Sequence, residues 1–191
     1  MEDIEKEVLE YVKEKIEWHK NTSQDHYDFW EEHIKYVYKE AISLAKNKNA
    51  DEEIVRLGAL LHDIALIEMV GTRAEHHING VKIAKEVLGR FNYSEEKTQK
   101  VLGCILHHRS SKDATNIEEI CVADADILAH FDNIPLLFDV MYTLRHLELA
   151  DVRKQLEEYI NKDFEDLSEE TRKSFANRYE IIKDVIVPKE L

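Results

Sequence analysis

The chain has 191 residues, of which 43% are hydrophobic and 35% charged, so it can bury one sizeable core. Its formal net charge of −14 argues against nucleic-acid polymers and anionic membranes as partners, since their binding needs clustered Lys and Arg. Only five Gly and two Pro occur among long stretches of helix formers. We therefore predict an all-α bundle in a single domain, residues 1–191.

Helical periodicity and capping residues predict eight helices along the chain. They cover about residues 4–18, 25–46, 51–67, 75–88, 94–108, 116–129, 135–160 and 168–187. Asp51, Ser94, Asn116 and Ser168 are the expected N-caps, and Pro135 suits the first turn of the seventh helix. The helices after about residue 134 are expected to support a core at about 25–130.

The N-terminal residues lack the basic start and apolar run of a signal peptide, and no stretch reaches the length of a membrane span. Cys104 and Cys121 lie in apolar runs without a C-x-x-C motif, which predicts buried free thiols. These features predict a cytoplasmic protein with no membrane partner.

Three apolar runs carry imidazole and carboxylate side chains. In residues 58–67 the only polar side chains are His62 and Asp63, and the other two runs deliver His107 with His108 and Asp124 with Asp126. An unpaired ionised carboxylate in a core is costly, so Asp63 needs a strong partner. A metal ion is the natural candidate.

The inward-facing candidates are all nitrogen or carboxylate-oxygen donors: His33, His62, Asp63, His76 or His77, His107, His108, and Asp126 or Asp124. This set is too rich in imidazole for Ca²⁺ or for Mg²⁺ alone and lacks the thiolates of structural zinc sites. It suits Mn, Fe, Co, Ni or catalytic Zn. Because one ion rarely takes more than about four protein ligands, we expect two ions bridged by a carboxylate.

These residues resemble those of the HD-domain metal-dependent phosphohydrolase superfamily, whose motif order is His…His-Asp…Asp on a helical bundle. The segment from His33 to Val37 is similar to the first-histidine helix, Leu60-Leu61-His62-Asp63-Ile64 to the naming motif, and Ala125-Asp126-Ile127-Leu128 to the closing motif. The resemblance implies the helical fold of that family and makes Asp126 the ligand, with Asp124 behind it.

Further histidines are similar to those of the dinuclear branches of the family. His76, followed at four residues by Gly80, fits one of them, and His107 or His108 fits the other. The resemblance implies that Asp63 bridges two ions. The predicted metal ligands are His33, His62, Asp63, His76, His107 and Asp126.

The resemblance implies that a metal-bound water attacks phosphorus, with His77 or His108 protonating the leaving oxygen. Asp63, His77 and His108 are thus the predicted catalytic residues. Arg109, Lys112 and Arg73 lie next to ligand-bearing helix ends and, with His26, are candidates to hold substrate phosphate. The alternative for the basic residues is ordinary solvated loop charge. We expect His19, His130 and His146 to be packing or surface residues.

The predicted substrate is a small phosphate ester or anhydride, in the first place a nucleotide. Leu66 stands where several branches have lysine, and no Gly-Tyr-Pro follows the paired histidines, which sets aside diguanylate phosphodiesterase activity. Two alternatives share the ligand set: a di-iron oxygenase of the same fold and a non-catalytic sensor module. The sequence is also compatible with an oligomer.

Overall fold

Helices make up the regular structure of the computed structural model, which describes residues 2–24 and 27–187. No strand occurs in this described part, so the all-α prediction is confirmed. The α-helices there are α1 Glu2–Thr22, α2 Lys35–Lys48, α3 Glu52–Leu61, α4 Ile64–Ile67, α5 His76–Arg90, α6 Glu95–His107, α7 Ile117–Asp132, α8 Ile134–Asp139, α9 Leu149–Asp166 and α10 Glu169–Ile186, with π-helical turns at Trp30–Ile34 and Val140–Leu144.

The third predicted helix is interrupted at the His-Asp pair, so the prediction of one continuous helix is wrong here. α3 ends at Leu61 and α4 begins at Ile64, while Asp63 has φ −103° and ψ 14°, outside the helical region. The backbone N–H groups of Leu66 and Ile67 both donate to the Asp63 carbonyl. Periodicity does not detect this break, because the residues on both sides of it are apolar.

The second predicted helix begins with the π-helical turn Trp30–Ile34, and α2 follows it directly. Residues 25 and 26, where we predicted the helix start, lie outside the described residues. Single π-helical turns often occur at functional sites because they reorient side chains. Here the turn contains the buried His33.

The seventh predicted helix is divided, and the prediction of one helix from Pro135 to about Ile160 is wrong. The π-helical turn Val140–Leu144 follows α8, and α9 begins only at Leu149. His146 has a φ of 53°, in the left-handed region, and the Leu147 N–H bonds back to the Met141 carbonyl. After this turn, α9 packs against α7.

Two hydrophobic clusters meet at α7. Val122, Ala125 and Ala129 belong to the cluster under α1 to α6, whereas Ile127 and Phe131 belong to the cluster under α8 to α10. A helix that is apolar on most sides is a buried helix. α7 is therefore the central element, and the polar side chains near its middle, such as Asp124 and Asp126, are buried. Within the described residues, no helix is both long and apolar enough to cross a membrane.

Asp124 on α7 ties the C-terminal helices to the core. Its carboxylate, with 0% exposure, accepts hydrogen bonds from Ser111 Oγ at 2.6 Å, the Ser168 backbone N–H at 2.8 Å and Thr171 Oγ1 at 2.6 Å. The sequence predicts that the Ser168 side chain caps α10. In the structure its hydroxyl instead donates to Asp124. One side chain thus fixes the loop after α6 and the α9–α10 turn.

Candidate metal centre

Six buried side chains from five parts of the fold converge beside α7. They come from the first π-helical turn, the α3–α4 break, the start of α5, the residue after α6 and the middle of α7: His33, His62, Asp63, His76, His108 and Asp126. α5 approaches the α3–α4 break closely because residue 80 is glycine. A Cβ at Gly80 would lie 3.2 Å from Ile105 and 3.5 Å from the His62 carbonyl oxygen.

The Asp63 carboxylate lies between two pairs of histidines. Its Oδ2 is 3.6 Å from His33 Nε2 and 3.6 Å from His62 Nε2. Its Oδ1 is 3.2 Å from His76 Nε2 and 3.8 Å from His108 Nε2. Each oxygen therefore faces a different pair, which is the arrangement of a carboxylate that can bridge two ions.

Asp126 joins one of these pairs. Its Oδ1 is 3.0 Å from His33 Nε2 and 3.6 Å from His62 Nε2. We call His33, His62, Asp63 and Asp126 the first half of the site. The second half consists of Asp63, His76 and His108, in which the two Nε2 atoms are 2.9 Å apart.

Backbone carbonyls fix three of the imidazole rings through Nδ1. These bonds join His62 to the Ala59 oxygen at 2.8 Å, His76 to the Arg73 oxygen at 2.6 Å and His108 to the Ile105 oxygen at 2.7 Å. When Nδ1 donates its proton to a carbonyl, Nε2 carries the free lone pair that binds metals. The three Nε2 atoms all face the cluster, so the hydrogen bonds orient these rings as ligands.

The electrostatics of the site favour the neutral forms of His33 and His108 and the ionised form of Asp63. Burial, and then His62, lower the pKa of His108 to about 4, and burial lowers the pKa of His33. Burial opposes ionisation of Asp63, but His62 and the other histidines hold the pKa of that carboxyl well below its usual range. Against the effect of burial, Asp63 raises the pKa of His76. The carboxylates of Asp63 and Asp126 and the imidazoles around them therefore form one buried group of oxygen and nitrogen donors.

This donor set fits divalent transition metals. Ligand atoms of His33, His62 and Asp63 lie within 4.8 Å of one another, as do those of Asp63, His76 and His108. Donors bound to one ion at about 2.1 Å lie within roughly 4 Å of each other, so small shifts would close each group around an ion. Imidazole with carboxylate is a donor combination typical of Mn, Fe, Co, Ni and Zn.

The structure places His108, rather than His107, among the clustered side chains. We predicted His107 as a ligand and His108 as a catalytic acid, but His108 lies in the cluster and His107 does not. His107 is partly exposed, and its Nδ1 is 2.9 Å from Glu119 Oε2 on α7. Adjacent residues of a helix point about 100° apart, so at the end of α6 His108 faces the site while His107 faces Glu119.

His77, which is also a predicted catalytic residue, lies beside the second half of the site. Its ring centroid is 5.7 Å from that of His76, and its buried Nδ1 has no hydrogen-bond partner among the described residues. Burial and then Arg109 lower the pKa of His77. His77 therefore borders the cluster without joining it.

Of the predicted phosphate-binding residues, Arg109 and Arg73 lie near the start of α5, whereas Lys112 pairs with a residue of α9. Arg109 is exposed, and its Nη1 donates to the Ala74 carbonyl at 3.2 Å, two residues before His76. Arg73 is exposed in the same loop. Lys112 instead pairs with Asp166 at 2.8 Å, which draws it toward α9 and does not support its predicted substrate contact. His26 lies outside the described residues.

His130 is a site neighbour that our sequence analysis missed. We expected a packing or surface residue, but its ring stacks on His33, with centroids 5.5 Å apart and an angle of 14° between planes. His130 follows Asp126 by four residues on α7, so both side chains lie on one face of the helix. The spacing Asp126-x-x-x-His130 is the signal that could have revealed it.

The fold and these residues define a class: an all-α protein with a buried histidine–aspartate metal centre. The family model described as "HD domain" matches residues 30–130, more than half of the chain. The chain therefore belongs to the HD domain family. A curated protein of Clostridium beijerinckii (strain ATCC 51743 / NCIMB 8052), described as an uncharacterized protein, is 32% identical over 71 residues. That match spans 37% of this chain and 45% of the relative's length.

Solved structures share the fold over nearly the whole chain. An HD-superfamily hydrolase from Bacillus thuringiensis has 23% identity and a TM-score of 0.70, covering 97% of this chain and 93% of its own. YpgQ from Bacillus subtilis has 19% identity and a TM-score of 0.69, with coverage of 96% and 91%. The structure of YpgQ in complex with ADP has 18% identity, a TM-score of 0.59 and coverage of 93% and 98%.

Proposed function

We propose that this chain is a metal-dependent phosphohydrolase that acts on a small phosphorylated molecule, in the first place a nucleotide. The observation that carries the proposal is the position of Asp63, whose two oxygens face separate histidine pairs. Membership of the HD domain family supports it. The ADP complex of YpgQ supports the choice of nucleotide.

In this proposal His33, His62, Asp63 and Asp126 hold one ion, and Asp63, His76 and His108 hold the second. Bound divalent ions of this kind lower the pKa of water and neutralise charge on phosphoryl oxygens. The protein residues contribute preorganisation, because the imidazole rings are already oriented by backbone carbonyls.

The proposed substrate phosphate lies beside the second half of the site. The bulk charge of −14 repels phosphate, so positive groups must hold it locally. Arg109 and Arg73 border the loop that leads into His76, and a guanidinium can bind a phosphate bidentately.

The buried free thiols Cys104 and Cys121 fit a reducing compartment, and we propose the cytoplasm.

Phosphate release tests this function. The full chain, loaded with Mn²⁺, is assayed on nucleoside mono-, di- and triphosphates and simple phosphate esters, next to Asp63→Asn and the control Asp151→Asn on an exposed position of α9. We expect release by the parent and the control, and a loss of at least about a hundredfold in Asp63→Asn.

Equal release by Asp63→Asn would contradict the assignment of the site. An absence of release from every compound by the parent would overturn the phosphohydrolase proposal. In that case, oxygen consumption by the iron-loaded parent would identify the oxygenase alternative instead.

A further inference from the structure

His130 places a third imidazole on the first half of the site. One of its ring nitrogens lies within 4.8 Å of ligand atoms of both His33 and Asp126, which themselves approach to 3.0 Å. His130 and Asp126 are one turn apart on α7, a helix whose residues 121–129 are all buried. Two donors at i and i+4 on one helix face are spaced to bind the same ion.

Asp163 on α9 holds the His130 ring in place. The Asp163 Oδ2 is 2.9 Å from His130 Nδ1, and the Asp163 side chain is 10% exposed. The Tyr159 hydroxyl, also from α9, lies 3.3 Å from Nδ1 and 3.5 Å from Nε2 of the same ring. When a neutral imidazole donates its Nδ1–H to a carboxylate, Nε2 carries the lone pair that binds a metal, as in carboxylate–histidine–metal arrangements.

We propose that His130 is an additional nitrogen ligand of the ion held by the first half of the site, and that Asp163 is its positioning residue. The inference rests on the metal centre of the proposed function and extends its ligand set. With His33 and His62, His130 brings the nitrogen donors on this side to three. Such a set selects Co²⁺, Ni²⁺, Zn²⁺ or Fe²⁺ over Mg²⁺, which prefers oxygen ligands.

The proposal makes α9 part of the site. Asp163 lies beyond residues 30–130, the segment that the family model matches, and His130 is the last residue of that segment. The C-terminal layer thus contributes a carboxylate to the metal centre as well as apolar packing. Loss of this carboxylate should weaken the metal site even though it lies outside the matched segment.

Titration of the metal-free full chain with Co²⁺, followed by visible absorption and calorimetry, tests the proposal without an activity assay. The variants are His130→Gln and Asp163→Asn. His107→Gln is the matched control, because His107 also bonds a carboxylate through Nδ1 but lies outside the cluster. Co²⁺ is the probe because its absorption reports the number and type of its ligands.

We expect His130→Gln to weaken binding of one Co²⁺ by about ten- to a hundredfold and to change the visible band, since a nitrogen ligand is lost. Asp163→Asn should weaken the same ion by about tenfold with a smaller spectral change, because the ligand remains but is less well oriented. His107→Gln should match the parent in both respects.

Unchanged affinity, stoichiometry and spectrum in His130→Gln would overturn the proposal, as would a parent that binds no Co²⁺. Circular dichroism of the metal-free variants checks folding, and Asp163→Asn decides the case if His130→Gln does not fold. A Co²⁺ site that depends on His130 in a chain that releases no phosphate would overturn only the hydrolase function. Phosphate release with no dependence of Co²⁺ binding on His130 would overturn only this inference.

Discussion

Asp124 and Asp126 are two residues apart on α7 and both are buried, yet they have opposite kinds of partner. Asp124 accepts hydrogen bonds from hydroxyl groups and a backbone N–H. Asp126 faces the imidazoles of His33 and His62. The difference shows that burial alone does not identify a metal ligand. A carboxylate surrounded by neutral donors is satisfied without a cation, whereas one among metal-binding nitrogens shares a donor set.

The largest effect is expected at the imidazole-facing carboxylate. Asp126→Asn should lower metal-dependent turnover by about a thousandfold, since an amide is a poor metal ligand. The fold of the metal-free protein should be retained, because the substitution keeps the shape and removes a buried negative charge. Turnover and calorimetric Co²⁺ binding measure the effect, with Asp124→Asn as the control. Parent-like metal binding in Asp126→Asn would contradict the assignment of Asp126, rather than Asp124, as a metal ligand.

Asp124→Asn should show the reverse pattern. Its three donor side chains and one backbone N–H would face an amide with one acceptor oxygen, so we expect a loss of about 2–3 kcal/mol in the free energy of unfolding. Urea denaturation of the metal-free protein measures this loss. Metal affinity should stay near that of the parent, and a selective loss of metal binding without loss of stability would contradict the structural role.

A smaller effect is expected at Glu119, whose carboxylate pairs with the histidine that lies outside the cluster. Burial acts to raise the pKa of Glu119, but the Thr115 backbone N–H and His107 lower it below its ordinary value of 4.5. Ionised Glu119 therefore stabilises the fold above about pH 4.5, and the contribution disappears as the pH falls through the lower folded-state pKa.

Glu119→Gln should remove this contribution. The unfolding free energy of the parent should exceed that of the variant by about 1 kcal/mol at pH 6, and the gap should close as the pH falls below 4.5 and through the lowered folded-state pKa. Denaturation at several pH values gives the comparison. A gap that stays constant with pH would mean that the carboxylate charge does not matter.

Much of this fold followed from residue patterns, because the helices carry clear periodicity and caps. Asn116 accepts from the Glu119 N–H, and Asp51 from those of Glu53 and Ile54, as N-caps should. The break at Asp63 and both π-helical turns did not follow. They depend on where the chain must redirect side chains toward distant residues, and local propensity does not contain that information.

The candidate site shows the same division. Asp126 and the His62-Asp63 pair stood out because polar donors interrupt apolar runs. The sequence could not decide between His107 and His108. That choice depends on the rotation of the last turn of α6 and on the contact of His107 with Glu119 on α7. His130 was missed because its partner Asp163 lies 33 residues away and on another helix.

The π-helical turn at Trp30–Ile34 has a consequence for the winding of the chain at His33. A π-helical turn contains one residue more than an α-helical turn, and each residue of an α-helix rotates the chain by about 100°. The extra residue acts as a register shift between the loop before it and α2. Regular winding through this segment would rotate His33 away from Asp63 and Asp126. The site therefore depends on the number of residues in this turn as well as on their identity.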